Sequence, residues 1–272
     1  MRRRTLLNAA IVGAVGLGVA AVGGLSSAQT TEPEAAAGDE RVEKKESVAR
    51  GKTIDFYTAV PAGHGDGKGL PICLVMHGAS TRPDDFRGLG FGRALTRAVE
   101  KGSPPFVLAG ADGGRRGWRP HDGDDPQRMV YEEIPNWCAE RGFDVGRLAI
   151  WGWSMGGAGG LRLAETFRGF AKGVAAFSPA VSRGDDVFQS VGRLRTQPLG
   201  LWCGLDDPLL DDVKALQLAL PMPPIAGGYS DGGHDMDYWK SVVPQAFQFI
   251  GGMLTRPKPS PTPSPAPSAT MG

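Results

Sequence analysis

Gly152, Trp153, Ser154, Met155 and Gly156 place one serine between two glycines, directly after the apolar run at residues 147–151. A serine hydroxyl is a weak nucleophile until a neighbouring base takes its proton. The pattern Gly-x-Ser-x-Gly marks a sharp strand-to-helix turn that holds such a serine exposed, and there the chain order is serine, acid, histidine. Of the four histidines, His64, His77, His121 and His234, only His234 follows with room for an acid between. It sits on a glycine-rich stretch at residues 229–239. The acid then falls after the apolar run at residues 199–204, where Asp206 and Asp207 stand together. Asp207 is preferred, because a strand, Gly204, two residues and then Asp207-Pro208 turn it back toward the histidine loop. Asp206 is the alternative, and Asp211 and Asp212 read as the start of a helix. A tetrahedral oxyanion needs two backbone N–H donors. Met155, next to the nucleophile, supplies one, and Ala79 (or Ser80) in the loop after residues 71–76 supplies the other. His77 reads as a brace for that loop.

These residues can meet only if the elements between them form the right sheet. Strand-length apolar runs occur at residues 54–60, 71–78, 106–114, 148–154, 173–179 and 199–204, each ending in turn-forming residues. Amphipathic stretches at residues 91–101, 126–141, 156–168 and 209–220 read as helices. Apolar strands alternating with helices imply an α/β domain whose mostly parallel sheet is covered on both faces. Ligands of such sheets bind beyond the carboxyl ends of the strands. His77, Asp112, Ser154, Ser178, Asp207 and the His234 segment all fall there.

The segments MHGAS, ADGGRRGW, WGWSMGGAGGLRLA, CGLDDPL and GGHDMDYW resemble, in order, the esterase family of α/β-hydrolases that includes esterase D-like enzymes and the mycobacterial mycolyltransferases. The resemblance spans residues 52–252 and is strongest with secreted actinobacterial members. It implies the α/β-hydrolase fold, a triad of Ser154, Asp207 and His234, and Met155 and Ala79 as oxyanion donors. It further implies that Asp112 and Trp118 border the substrate pocket, with residues 121–129 on its rim. The short connection after residues 176–180 leaves no space for a large lid domain. The activity implied is hydrolysis of carboxylic esters through an acyl-enzyme. Transfer of the acyl group to a sugar or lipid alcohol is the alternative, and a non-catalytic cell-wall binding protein is a third reading from another class. A peptidase follows from triad logic alone. The substrate expected is a small-molecule, lipid or cell-wall ester.

The chain has 272 residues and a formal net charge of +1. A near-neutral chain lacks the basic face that nucleic acid requires. Arg2, Arg3 and Arg4 precede an uncharged stretch ending in small residues near Ala28, and Arg3 to Leu7 resemble a twin-arginine export signal. Residues 1–28 are thus expected to be a signal and 29–51 a charged, disordered linker. Residues 52–254 form the catalytic domain, and 255–272 a Pro/Ser-rich tail. The apolar stretch is too weak for a stable membrane span in the mature form, so the location expected is secreted or attached to the cell wall. Cys73 and Cys203 lie in strand-like runs and read as small buried hydrophobes. No cofactor and no metal is expected, since the sequence offers no ligand cluster of histidine, cysteine and carboxylate.

Overall fold

A computed structural model of the chain describes residues 35–255. The expected signal and almost all of the tail lie outside the described residues. Alternating side chains on buried strands must find cover on both faces of a sheet, and that is the arrangement adopted. Eight strands form one sheet: β1 (Asp39–Ser47), β2 (Lys52–Val60), β3 (Pro71–Met76), β4 (Val107–Ala111), β5 (Asp144–Trp153), β6 (Val174–Phe177), β7 (Leu199–Gly204) and β8 (Ala226–Ser230). The spatial order is β1-β2-β4-β3-β5-β6-β7-β8. β1 and β2 pair antiparallel, as do β2 and β4. The remaining pairs, from β4 through β8, are parallel.

Along β3, Ile72, Leu74 and Met76 join one apolar layer, and Cys73 and Val75 join the other. Helices α1 (Asp85–Gly88), α2 (Phe91–Glu100) and α8 (Met236–Leu254) cover the second face with Phe86, Phe91, Leu95 and Phe247. The first face is covered by α3 (Pro126–Arg128), α4 (Ile134–Glu140), α5 (Met155–Thr166), α6 (Asp186–Ser190) and α7 (Leu210–Ala219). A π-helical turn, Met129–Glu133, joins α3 to α4, so the single helix expected over residues 126–141 is one rod with a wide turn inside it. The connection from β6 to β7 holds only α6 and a 3-10 turn, Val191–Leu194, and no separate lid domain occurs among the described residues. All three cysteines are buried and free. Among the described residues no helix is long and apolar enough to cross a membrane.

Two expectations change. The linker expected over residues 29–51 contains β1, and the ordered domain therefore begins well before residue 52. β1 is an edge strand carrying charges of both signs, and these discourage edge-to-edge association. The backbone is held by pairing with β2 along the strand's whole length. Side chains add anchors: Tyr57 donates to Glu40 at 2.5 Å, Arg141 donates to Asp39 at 2.8 Å, and Glu133 accepts from the Ala49 N–H at 2.8 Å. β8 is the second change, a strand with no sequence expectation. Its composition, Ala-Gly-Gly-Tyr-Ser, lacks an apolar run because it is a largely exposed edge.

α5 runs beneath the sheet and is buried along nearly its whole length, including Arg162 and Glu165. Glu165 is 3 % exposed, and its Oε1 has no protein partner. Burial, reinforced by the nearby Asp186 charge, pushes its carboxyl up to about 8 from an ordinary 4.5. The folded state thus holds a proton that the unfolded chain has lost above pH 4.5, so this group's contribution to stability falls as pH rises from 4.5 through about 8. Glu165→Gln is expected to match the parent near pH 4. At about pH 9 it should exceed the parent by about 1–3 kcal/mol in urea unfolding. An equal difference at both pH values would contradict this assignment.

Candidate active site

β5 ends at Trp153 and α5 begins at Met155, so the whole reversal falls on Ser154. Its φ of 52° and ψ of −121° lie in a region that a residue with a side chain rarely occupies. The neighbours hold it there. Ser154 N–H donates to Phe177 O at 2.8 Å, and Ser154 O accepts from Ala180 N–H at 2.9 Å. The flanking glycines are steric requirements. A Cβ on Gly156 would lie 1.9 Å from Met76 O, and one on Gly152 would lie 2.5 Å from Gly156 O. Both obstacles are backbone, so they cannot rotate away. Gly156→Ala is expected to cost more than about 3 kcal/mol or to prevent folding, measured by thermal unfolding. A loss below about 1 kcal/mol would contradict the packing described.

The loop after β7 carries Asp207, whose side chain is 0 % exposed. It is locked to the histidine loop by backbone bonds: Leu205 N–H donates to Ser230 O at 2.9 Å and Asp206 N–H to Gly232 O at 3.0 Å. The approach is close enough that a Cβ on Gly204 would sit 2.1 Å from Gly232 O. β8 feeds that loop, which explains why an exposed edge strand matters to the site. His234 Nδ1 lies 2.9 Å from Asp207 Oδ2 and 3.1 Å from Oδ1. Its Nε2 lies 2.9 Å from Ser154 Oγ. A carboxylate only accepts, so Nδ1 carries the proton and Nε2 is left to accept from the serine hydroxyl. Asp206 is exposed and makes no side-chain contact with the imidazole. The acid facing His234 is Asp207.

Two residues absent from the sequence reading of the triad complete its support. Trp239 of α8 packs edge-on against the His234 ring at 5.0 Å. Its Nε1–H donates to the buried Ser178 Oγ at 3.1 Å. Ser178 follows β6, a position legible as a strand end, but nothing in the sequence pairs it with a tryptophan 61 residues later. Cys203, behind Asp207, is inert: burial and then the Asp207 charge push its thiol up to about 12.

Met155 N–H is the first of the α5 donors that lack an intrahelical acceptor. The β3 loop lies beside it, with a Gly78 Cβ position 3.5 Å from Ser154 Cβ. Ala79, next in that loop, is exposed on this side of the sheet. His77 braces the loop: Nδ1 donates to Gly78 O at 2.8 Å, and Nε2 accepts from Gly113 N–H at 2.9 Å. Asp112 Oδ1 accepts from Gly114 N–H at 2.8 Å and shapes the same turn while staying partly exposed. Trp118 requires a correction. It is 0 % exposed, so it does not border an open pocket. Its indole fills the space above Gly113 and Gly159, which have no side chains to compete for it. Its Nε1–H donates to His77 O at 3.1 Å, and it supports the loop from behind. His121 turns away to the Arg119 carbonyl at 2.9 Å, on a partly exposed loop.

No protein-family model and no curated protein sequence matches this chain. Solved structures do. A ferulic acid esterase is 20% identical with a TM-score of 0.71, covering 80% of this chain and 98% of its own. An S-formylglutathione hydrolase from Agrobacterium tumefaciens is 16% identical with a TM-score of 0.67, covering 80% and 96% respectively. MPT51 from Mycobacterium tuberculosis is 14% identical with a TM-score of 0.61, covering 80% and 100%. Identities this low speak to architecture. From the mostly parallel eight-stranded sheet, the strained serine turn and these neighbours together, the chain has the α/β-hydrolase fold.

Proposed function

We propose that this chain is a secreted serine esterase that cleaves carboxylic esters through an acyl-enzyme on Ser154. The observation that carries the reading is the hydrogen-bonded relay from Ser154 through His234 to Asp207, with both links as short as 2.9 Å. Ser154 Oγ attacks the ester carbonyl carbon while its proton passes to His234 Nε2. The carbonyl oxygen becomes an oxyanion received by the N–H groups of Met155 and Ala79, at the positive end of α5. Asp207 stabilises the imidazolium and keeps it oriented. Collapse breaks the bond to the alcohol oxygen, which leaves with the proton from Nε2. Water then repeats the sequence, releasing the acid and restoring the serine. The names of the solved neighbours, a ferulic acid esterase and an S-formylglutathione hydrolase among them, support ester chemistry on this scaffold.

Hydrolysis of p-nitrophenyl esters of graded acyl length tests this reading. Turnover is the expected result, and no turnover by folded protein would contradict hydrolysis. One observation favours transfer as a second reading. Ser154 is partly exposed, with no lid domain over it among the described residues, which leaves room for an alcohol to compete with water for the acyl-enzyme. Added glycerol or sugar acceptors would then divert product from acid to new ester.

Export rests on Arg3 and Arg4 ahead of Thr5, Leu6 and Leu7. Replacing both arginines with lysine is expected to retain the protein inside the cell, measured by fractionation. Unchanged export would remove the twin-arginine reading.

A further inference from the structure

A cavity of about 460 Å³ opens at the end of α5 remote from Ser154, between α5, α6, the 3-10 turn and the loop after β4. Glu165 lies eleven residues beyond Ser154 on this helix, about 16 Å along its axis. Asp186 in the wall accepts two bonds from Arg119, at 2.5 and 2.9 Å, and two from Arg162, at 2.8 and 3.0 Å. That cross-brace fixes the walls and consumes the only ionised carboxylate there. Arg162 also donates to Gly117 O at 2.9 Å, tying the loop to the helix.

Thr166 Oγ1 is satisfied by the Arg162 carbonyl at 2.9 Å, which leaves Arg193, Gln127 and Glu165 among the polar side chains of the lining to consider. Arg193 projects from the 3-10 turn and pairs with no carboxylate. Gln127, a residue only 7% exposed, also lines the cavity. Glu165 lines the cavity and is buried, and its enclosed Oε1 has no hydrogen-bond partner. Three guanidinium groups thus face one carboxylate and one buried acid. A cation is repelled by such a wall. A buried polar atom left unpaired is costly, and native structures keep few of them without a ligand or function.

We propose that this cavity binds a small oxyanion of the phosphate, sulfate or carboxylate class. Arg193 supplies the charge, Gln127 Nε2–H donates one hydrogen bond, and the protonated Glu165 carboxyl donates another. The groups facing Glu165 are Arg162 on its own helix, Asp186 on α6 and Arg193 on the 3-10 turn. Burial keeps the carboxyl protonated at neutral pH, which makes it a donor to an anion. Ionised, it would accept only and repel the ligand, so affinity must fall as pH rises. The cavity is separate from Ser154, and the inference does not depend on ester hydrolysis.

The test is calorimetric and NMR titration of the full chain with sulfate and, separately, with acetate. Neither probe changes charge between about pH 6.5 and about pH 9.5, so any pH dependence belongs to the protein. Saturable binding of at least one probe is expected at about pH 6.5, weakening about tenfold or more by about pH 9.5. Sulfate alone assigns the tetrahedral class and acetate alone the planar one. Arg193→Ala, at an exposed position, should weaken binding about tenfold at the lower pH. Glu165→Gln should bind with affinity independent of pH. Three results would overturn the proposal: neither probe saturating, Arg193→Ala binding like the parent, or Glu165→Gln retaining the pH dependence.

Discussion

Replacing Ser154 with alanine is expected to reduce kcat for p-nitrophenyl ester hydrolysis by about 10⁴-fold or more. In the proposed mechanism the hydroxyl is the group whose bond to the substrate defines the acyl-enzyme, and no other side chain can occupy its place. Neither Ser178 nor Ser80 is joined to His234, whereas Ser154 Oγ lies 2.9 Å from its Nε2. The fold should survive, because the φ of 52° at this position is set by backbone bonds to Phe177 and Ala180. Thermal stability is therefore expected to stay within about 1 kcal/mol of the parent. A correctly folded variant that keeps more than about a tenth of parental activity would show that esters are cleaved elsewhere.

Asp207→Asn carries the second large effect, a fall of about 10³- to 10⁴-fold in kcat with KM little changed. The carboxylate accepts from His234 Nδ1–H through both oxygens, and its Oδ1 also accepts from Leu209 N–H at 2.8 Å. An asparagine amide turned toward Nδ1 would donate instead. The imidazole proton would then move to Nε2, where it cannot receive the serine proton. Asp206→Asn is the internal control. It shares the sequence neighbourhood but points to solvent, so its activity should stay within about threefold of the parent. The reverse ranking of the two variants would overturn the assignment of the acid.

The two aspartates also show where sequence reading reached its limit. Adjacent residues in a turn point in different directions, and only the bonds from Leu205 and Asp206 to the histidine loop fix which one is buried. The elbow was more legible. Gly152 and Gly156 are required by backbone contacts that any side chain would violate, and such requirements leave a local signature. The apolar strands β2 to β7 were equally plain, since burial on both faces demands runs of apolar residues.

β1 and β8 were not legible for the opposite reason. They are edges, and an edge is held by backbone pairing that sequence does not record. The charges of β1 look like those of a linker until Tyr57 and Arg141 are seen to bind Glu40 and Asp39. Trp118 illustrates a further limit. The family resemblance implies a pocket wall at this tryptophan, yet Gly113 and Gly159 make room for it inside the core. Likewise, Glu165 reads as one more charge on an amphipathic helix, and only three-dimensional packing shows it buried beside Asp186.

The most direct test of the central claim is covalent capture of the nucleophile. The full chain would be treated with a fluorophosphonate, which loses fluoride as a phosphorus–oxygen bond forms with an activated serine. Intact-mass and peptide mass spectrometry then locate the adduct. A single phosphonyl group on Ser154, absent from both Ser154→Ala and heat-unfolded protein, is the result expected of an activated triad. An unlabelled Ser154 in folded protein, or a label equally strong on another serine, would contradict it.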